Sequence, residues 1–124
     1  VQQLLLAEGS LASPSSRTGQ DLRVGCGFLQ EQLDDPEGHD LLRQVGAITV
    51  PLTVVHGTDD VSVDVSAAGT IASAATGVCN THLIEGANHV FNTPNPSAMD
   101  HEPSDALRQV GAILVDAASG LGRN

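Results

Sequence analysis

From Ile48 to Val55 the chain runs through β-branched and apolar residues at consecutive positions. That pattern suits a strand covered on both faces, as in a parallel sheet. Ser66 to Thr76 carries small residues at helical spacing and predicts a helix, and Thr81 to Ile84 predicts the next strand. Ser104 to Ala118 is amphipathic at helical spacing, with Ser104 placed as an N-cap and Gly120 as a C-terminal stop. Strand, helix, strand and helix in alternation imply right-handed βαβ crossovers and a parallel sheet, an α/β fold class.

The pattern ahead of residue 48 is weaker. Gln2 to Glu8 reads as a short helix, Ser13 to Gly19 as a Ser/Pro/Gly-rich loop, and Leu22 to Val24 as a short extended segment. Gly25-Cys26-Gly27 reads as a turn and Phe28 to Leu33 as a helical turn. Asp34 to Gly38 is loop with helix-start chemistry, leading into a helix over Asp40 to Val45 that Gly46 stops. Pro94 to Pro96 is loop. One local echo stands out: the segment from Asp40 to Ile48 nearly recurs from Asp105 to Ile113, with unrelated flanks, so it does not mark a repeat architecture.

Composition narrows the picture. The 124 residues suffice for one domain with a core, and with no Trp or Tyr and only 2% aromatic residues that core must be built from Val, Leu, Ile and Ala. Five basic residues, all arginine, against fifteen acidic ones give a net charge of -10, which repels phosphate backbones and anionic lipid. Nucleic acid and membrane surfaces are therefore not expected partners. Cys26 and Cys79 form no close-spaced pair and no disulfide framework, which points to free thiols in a reducing, cytoplasmic setting. No apolar run is long enough to span a bilayer, and Val1 to Ala7 lacks the features of a signal peptide. The absence of an initial Met suggests a partial sequence.

The candidate chemistry lies just past the two strands. Ligands and catalytic groups in open α/β sheets collect at the carboxyl ends of strands. Asp59 and Asp60 come after the first, and His89 after the second. Neighbouring parallel strands would bring acid and imidazole to the same rim. A carboxylate bonded to one ring nitrogen fixes the tautomer and stabilises the imidazolium formed when the other nitrogen takes a proton. The plainer readings are an Asp-Asp turn and a structural His-Gly at the strand end, and His56 is read in that structural way. His39, His56, His82, His89 and His101 lack short ligand spacing, and Pro103 opposes a metal-binding helix at His101-Glu102, so no metal site is expected.

The segments Val55-His56-Gly57-Thr58-Asp59-Asp60 and Gly86-Ala87-Asn88-His89-Val90-Phe91 resemble the acid and base motifs of α/β-hydrolases of the dienelactone-hydrolase and serine-aminopeptidase-like type. Arg17 to Gln20 and Asp40 to Leu42 resemble the same family less specifically, and Asp64 stands where the family usually has proline. The resemblance implies that Asp60, not Asp59, takes the acid role and that His89 is the base. It implies a C-terminal part of an α/β-hydrolase fold, with a small parallel sheet flanked by helices. Residues 1–47 would form a lid or wall segment and 48–124 the half of the single domain that carries acid and base. The activity implied is serine-type hydrolysis of an ester, amide or related acyl small molecule, with no cofactor.

The nucleophile is the gap. No Gly-x-Ser-x-Gly elbow occurs in these 124 residues. Cys26 precedes Asp60 and His89 in the right order, but Val24 and Phe28 at two residues either side are too large for so tight a turn. The expectation is a fragment lacking its nucleophile, prone to self-association through an unpaired sheet edge. The alternative is a stand-alone, non-catalytic α/β interaction module derived from a hydrolase.

Overall fold

The computed structural model describes residues 1–15, 18–94 and 102–121. Its contacts divide the chain into two compact units, Val1–Gln44 and Val45–Asn124. Arg17 in the first family-like segment, Asn95 and Pro96 of the expected proline loop, and His101 lie outside the described residues.

The first unit opens with α1 (Gln2–Glu8), as expected, and α1 ends at Gly9, whose N–H donates back to Leu5 O. Next comes β1 (Ser10–Ala12), which pairs antiparallel with β2 (Arg23–Gly25), with Leu11 opposite Val24. The turn expected at Gly25-Cys26-Gly27 is instead the junction of β2 and α2 (Cys26–Asp34). The Cys26 N–H donates to Gly9 O at 2.8 Å, adding a rung beyond the β1–β2 pairing. Asp40 caps α3 (Leu41–Gly46), its Oδ1 accepting the N–H groups of Leu42 and Arg43. Among the described residues of this unit, Leu5 and Leu29 are the buried hydrophobic ones.

The second unit is a β-α-β-α run: β3 (Leu52–Gly57), α4 (Ser66–Ala74), β4 (Cys79–Ile84) and α5 (Asp105–Leu121). It carries the parallel pairing expected of an α/β chain, with Leu52 opposite Cys79 through to Gly57 opposite Ile84. Helix α4 packs on both strands and α5 on β4. The strand begins at Leu52, not Ile48, because Pro51 has no N–H to give a ladder; the Leu52 N–H makes the first rung, to Val78 O at 2.8 Å. The expected cover on both faces is also corrected. With two strands in this sheet among the described residues, β3 from Leu52 to His56 is partly buried, and Gly57 is the fully buried residue of the strand.

Both helix ends need adjustment. Helix α4 stops at Ala74, two residues early, and α5 runs past the expected stop at Gly120 to Leu121. Ser104 does cap α5, its Oγ accepting the Leu107 N–H at 3.0 Å. A core cluster of the unit is Ile84, Ala87 and Ala106, packed against Val55, Phe91, Val110 and Ile113, with Val45 and Ala68 buried as well. Burying Ile84 contributes about 2 kcal/mol. Ile84 is the last residue of β4, and Ala87 lies in the loop after it that carries His89. No helix among the described residues is long and apolar enough to cross a membrane.

Candidate functional site

Three hydrogen bonds stitch the loops after β3 and β4 together. The Thr58 N–H donates to Ile84 O and the Asp59 N–H to Ala87 O, both at 3.0 Å, while the Gly86 N–H donates to Thr58 Oγ1 at 2.8 Å. The loops come this close because Gly57 has no side chain: a Cβ there would stand 2.1 Å from Ala87 O. Gly86 turns the second loop with a φ of 66°, in the left-handed region open to glycine.

This stitching brings Asp60 and His89 together, with His89 Nδ1 2.9 Å from Asp60 Oδ2. Asp60 Oδ1 accepts the N–H groups of Ser62 at 2.8 Å and Val63 at 3.0 Å, which fixes the carboxyl plane. Its side chain is 6% exposed and that of His89 is 46% exposed. Asp59 is exposed and makes no contact of this kind. Asp64 Oδ1 accepts the Ser66 N–H at 2.8 Å and ties the loop to the start of α4.

The His89 loop is held by two asparagines that the pattern of polarity does not single out. Asn88 Oδ1 accepts the N–H groups of Val90 and Asn92, and Asn92 Oδ1 accepts the Asn88 N–H in return. Asn92 Nδ2 donates to Gly86 O at 3.1 Å. Phe91 and Asn92 both lie in the left-handed region, at φ 51° and 58°. Asn tolerates that conformation, whereas Phe carries a strain of about 1–2 kcal/mol. Phe91 is held there by the core on one side and by the Ser104 hydroxyl, which donates to its carbonyl oxygen. The signal in the sequence is an Asn four residues from another Asn around a histidine, a spacing that fits paired local caps.

Burial of the Asp60 carboxyl works to raise its pKa. The hydrogen bond with His89, the N–H groups of Val63 and Ser62, and the charge of His89 outweigh that burial and lower it from 3.8 to about 2. A carboxyl that stays ionised to lower pH in the folded state stabilises the fold fully above its ordinary value, and that contribution is lost as pH falls through the folded value. In denaturant titrations, the stability gap between wild type and Asp60→Asn is expected to narrow as pH falls from 3.8 to about 2. A gap that ignores pH across that range would contradict the assignment.

With Nδ1–H given to the carboxylate, a neutral His89 presents its lone pair at Nε2, and among the described residues no hydroxyl or thiol bonds to that nitrogen. The pair borders a cleft of about 250 Å³ that is also lined by Val55, His56, Gly57, Val63, Asn88 and Phe91. Such an arrangement can take and return a proton at Nε2. Cys79 opens β4, at the end of the strand away from His89, and Cys26 belongs to the first unit. His39 is an exposed residue of that unit, and His82 is exposed on β4. Among the described residues no three His, Cys, Asp or Glu side chains gather as a metal site would require. The chain matches no protein-family model and no curated protein.

Proposed function

We propose that Asp60 and His89 are the acid and base of a serine-type α/β-hydrolase acting on an ester, amide or related acyl substrate. The observation that carries this reading is the 2.9 Å contact between His89 Nδ1 and the carboxylate of Asp60, with both residues lining a cleft. In the proposed reaction a serine hydroxyl from outside these 124 residues attacks the carbonyl carbon. His89 Nε2 takes the hydroxyl proton and delivers it to the leaving group, and Asp60 holds the ring and balances its charge. A water molecule, giving its proton to the same nitrogen, then displaces the serine from the acyl group, and the serine oxygen takes the proton back.

The second reading is a non-catalytic α/β interaction module. It is favoured by the two-stranded β3–β4 sheet, whose outer edges are open among the described residues and offer backbone groups to an added strand.

Two experiments bear on these readings, and the second separates them. The 124-residue chain by itself is expected to hydrolyse an activated acetate ester no faster than buffer does. Turnover that disappears on Cys26→Ala would instead make the thiol the nucleophile. In a protein that joins these residues to a strand, a Gly-x-Ser-x-Gly elbow and a helix, a fluorophosphonate should label the elbow serine, and Asp60→Asn and His89→Ala should each suppress the labelling. Labelling at the wild-type rate in both variants would favour the interaction module.

A further inference from the structure

His56 lies on β3, four residues before Asp60, and the proposed proton transfer makes no use of it. Its side chain is 12% exposed. Nδ1 lies 2.8 Å from Gly57 O, a group that can only accept, so Nδ1 carries a proton. Nε2 is buried with no hydrogen-bond partner among the described residues, and it stands 3.8 Å from Asp60 Oδ2. A ring protonated at Nδ1 alone would leave a buried lone pair beside a carboxylate, an unmatched pair of acceptors. The carboxylate has about four acceptor sites. Ser62 and Val63 occupy Oδ1 and His89 occupies one site on Oδ2, which leaves room on Oδ2 for one more donor.

Asp60 and Asp64 are the acids facing His56. The carboxyl of Asp64 is lowered first by its hydrogen bonds with Ser66 and to a smaller extent by the charge of His56. Helix α4 contributes no charged residue. On β4 the residue opposite His56 is Leu83, with His82 one rung away opposite Val55. His89 is the other titratable group on Asp60.

We propose that His56 is a positioning residue for the acid–base pair: its Nε2–H closes onto Asp60 Oδ2 and holds that carboxylate ionised and turned toward His89. The inference rests on the assignment of Asp60 and His89 as acid and base, but its first test needs no turnover.

Carboxyl ¹³C NMR would follow the titration of Asp60 in wild type, His56→Phe and His56→Gln. Phenylalanine fills the ring's space and donates nothing, while glutamine keeps an N–H donor. The Asp60 midpoint is expected to rise by about one pH unit in His56→Phe and by less in His56→Gln, with circular dichroism unchanged. An unmoved midpoint in folded His56→Phe overturns the proposal. If the variants fail to fold, ¹⁵N spectra of the unsubstituted protein decide: a proton on His56 Nε2 near neutral pH supports it, and a bare Nε2 overturns it. Where hydrolysis is measurable, His56→Phe should lower kcat about tenfold with KM unchanged, and His56→Gln should recover part of the loss. Shifted Asp60 midpoints, with no hydrolysis in a protein that joins these residues to a serine elbow, would remove the enzyme reading and leave this contact standing. Normal hydrolysis with unmoved midpoints would remove only the role of His56.

Discussion

His89→Ala is expected to lower kcat on an activated acyl ester by about four orders of magnitude in a protein where these residues meet a serine nucleophile. The size of the effect comes from the chemistry proposed. A serine hydroxyl is a poor nucleophile until a base takes its proton, and the leaving group departs slowly until an acid supplies one. One imidazole does both, so its loss removes both steps. The fold should survive, because the His89 side chain is half-exposed and the core cluster of its unit is made by Ile84, Ala87 and Ala106. Asp60→Asn should bring a loss of similar order, since an amide in that place no longer favours the Nδ1–H tautomer or balances the imidazolium. The check is kcat with circular dichroism on the same samples; rates within a few-fold of wild type in folded variants would count against the pair as acid and base.

Gly57→Ala should destabilise the fold by about 3 kcal/mol, the largest stability effect expected of any small substitution here. The added Cβ would lie 2.1 Å from the carbonyl oxygen of Ala87 and 2.7 Å from its carbonyl carbon. Both are backbone atoms, and Ala87 is fully buried, so no flexible side chain can move aside. The strand end must shift instead, which breaks the hydrogen bonds from the N–H groups of Thr58 and Asp59 to Ile84 and Ala87. That same shift draws Asp60 away from His89, so activity should fall along with stability. Urea denaturation measures the effect, and a loss below about 1 kcal/mol would mean that the two loops are not so tightly apposed.

The strand–helix order after residue 51 was legible because its signals are local. Thr53, Val54 and Val55 favour a strand, Ser104 offers a helix cap, and Asp60 and His89 come after apolar runs that end in glycine turns. Where the sequence misled, the decision lay with atoms distant along the chain or with a competing backbone rule. Residues 48–51 look like strand by composition, yet Pro51 and the position of Cys79 set the start at Leu52. Strand β1 was missed because Ser10 to Ala12 has little strand character of its own and exists through pairing with Arg23 to Gly25.

The near-repeat shows the same dependence on context. Asp40 to Ile48 and Asp105 to Ile113 share almost the same residues, but Gly46 is the last residue of α3 while α5 passes through Gly111. The downstream residues make the difference: Thr49, Val50 and Pro51 after the first segment, and a run from Leu114 to Ala118 that favours helix after the second. At the site, the acid and base were visible as residue types in loops. The Asn88–Asn92 clamp and the buried nitrogen of His56 were not, because both depend on backbone turns and distances that no pattern of polarity encodes.

The most direct measurement is the tautomer of the neutral His89 ring, read from imidazole ¹⁵N shifts. With Asp60 holding Nδ1–H, the spectrum should show a proton on Nδ1 and an unprotonated Nε2, and that preference should vanish in Asp60→Asn. A neutral ring whose proton sits on Nε2 in the unsubstituted protein would leave no lone pair at Nε2 to take the serine proton and would contradict the account.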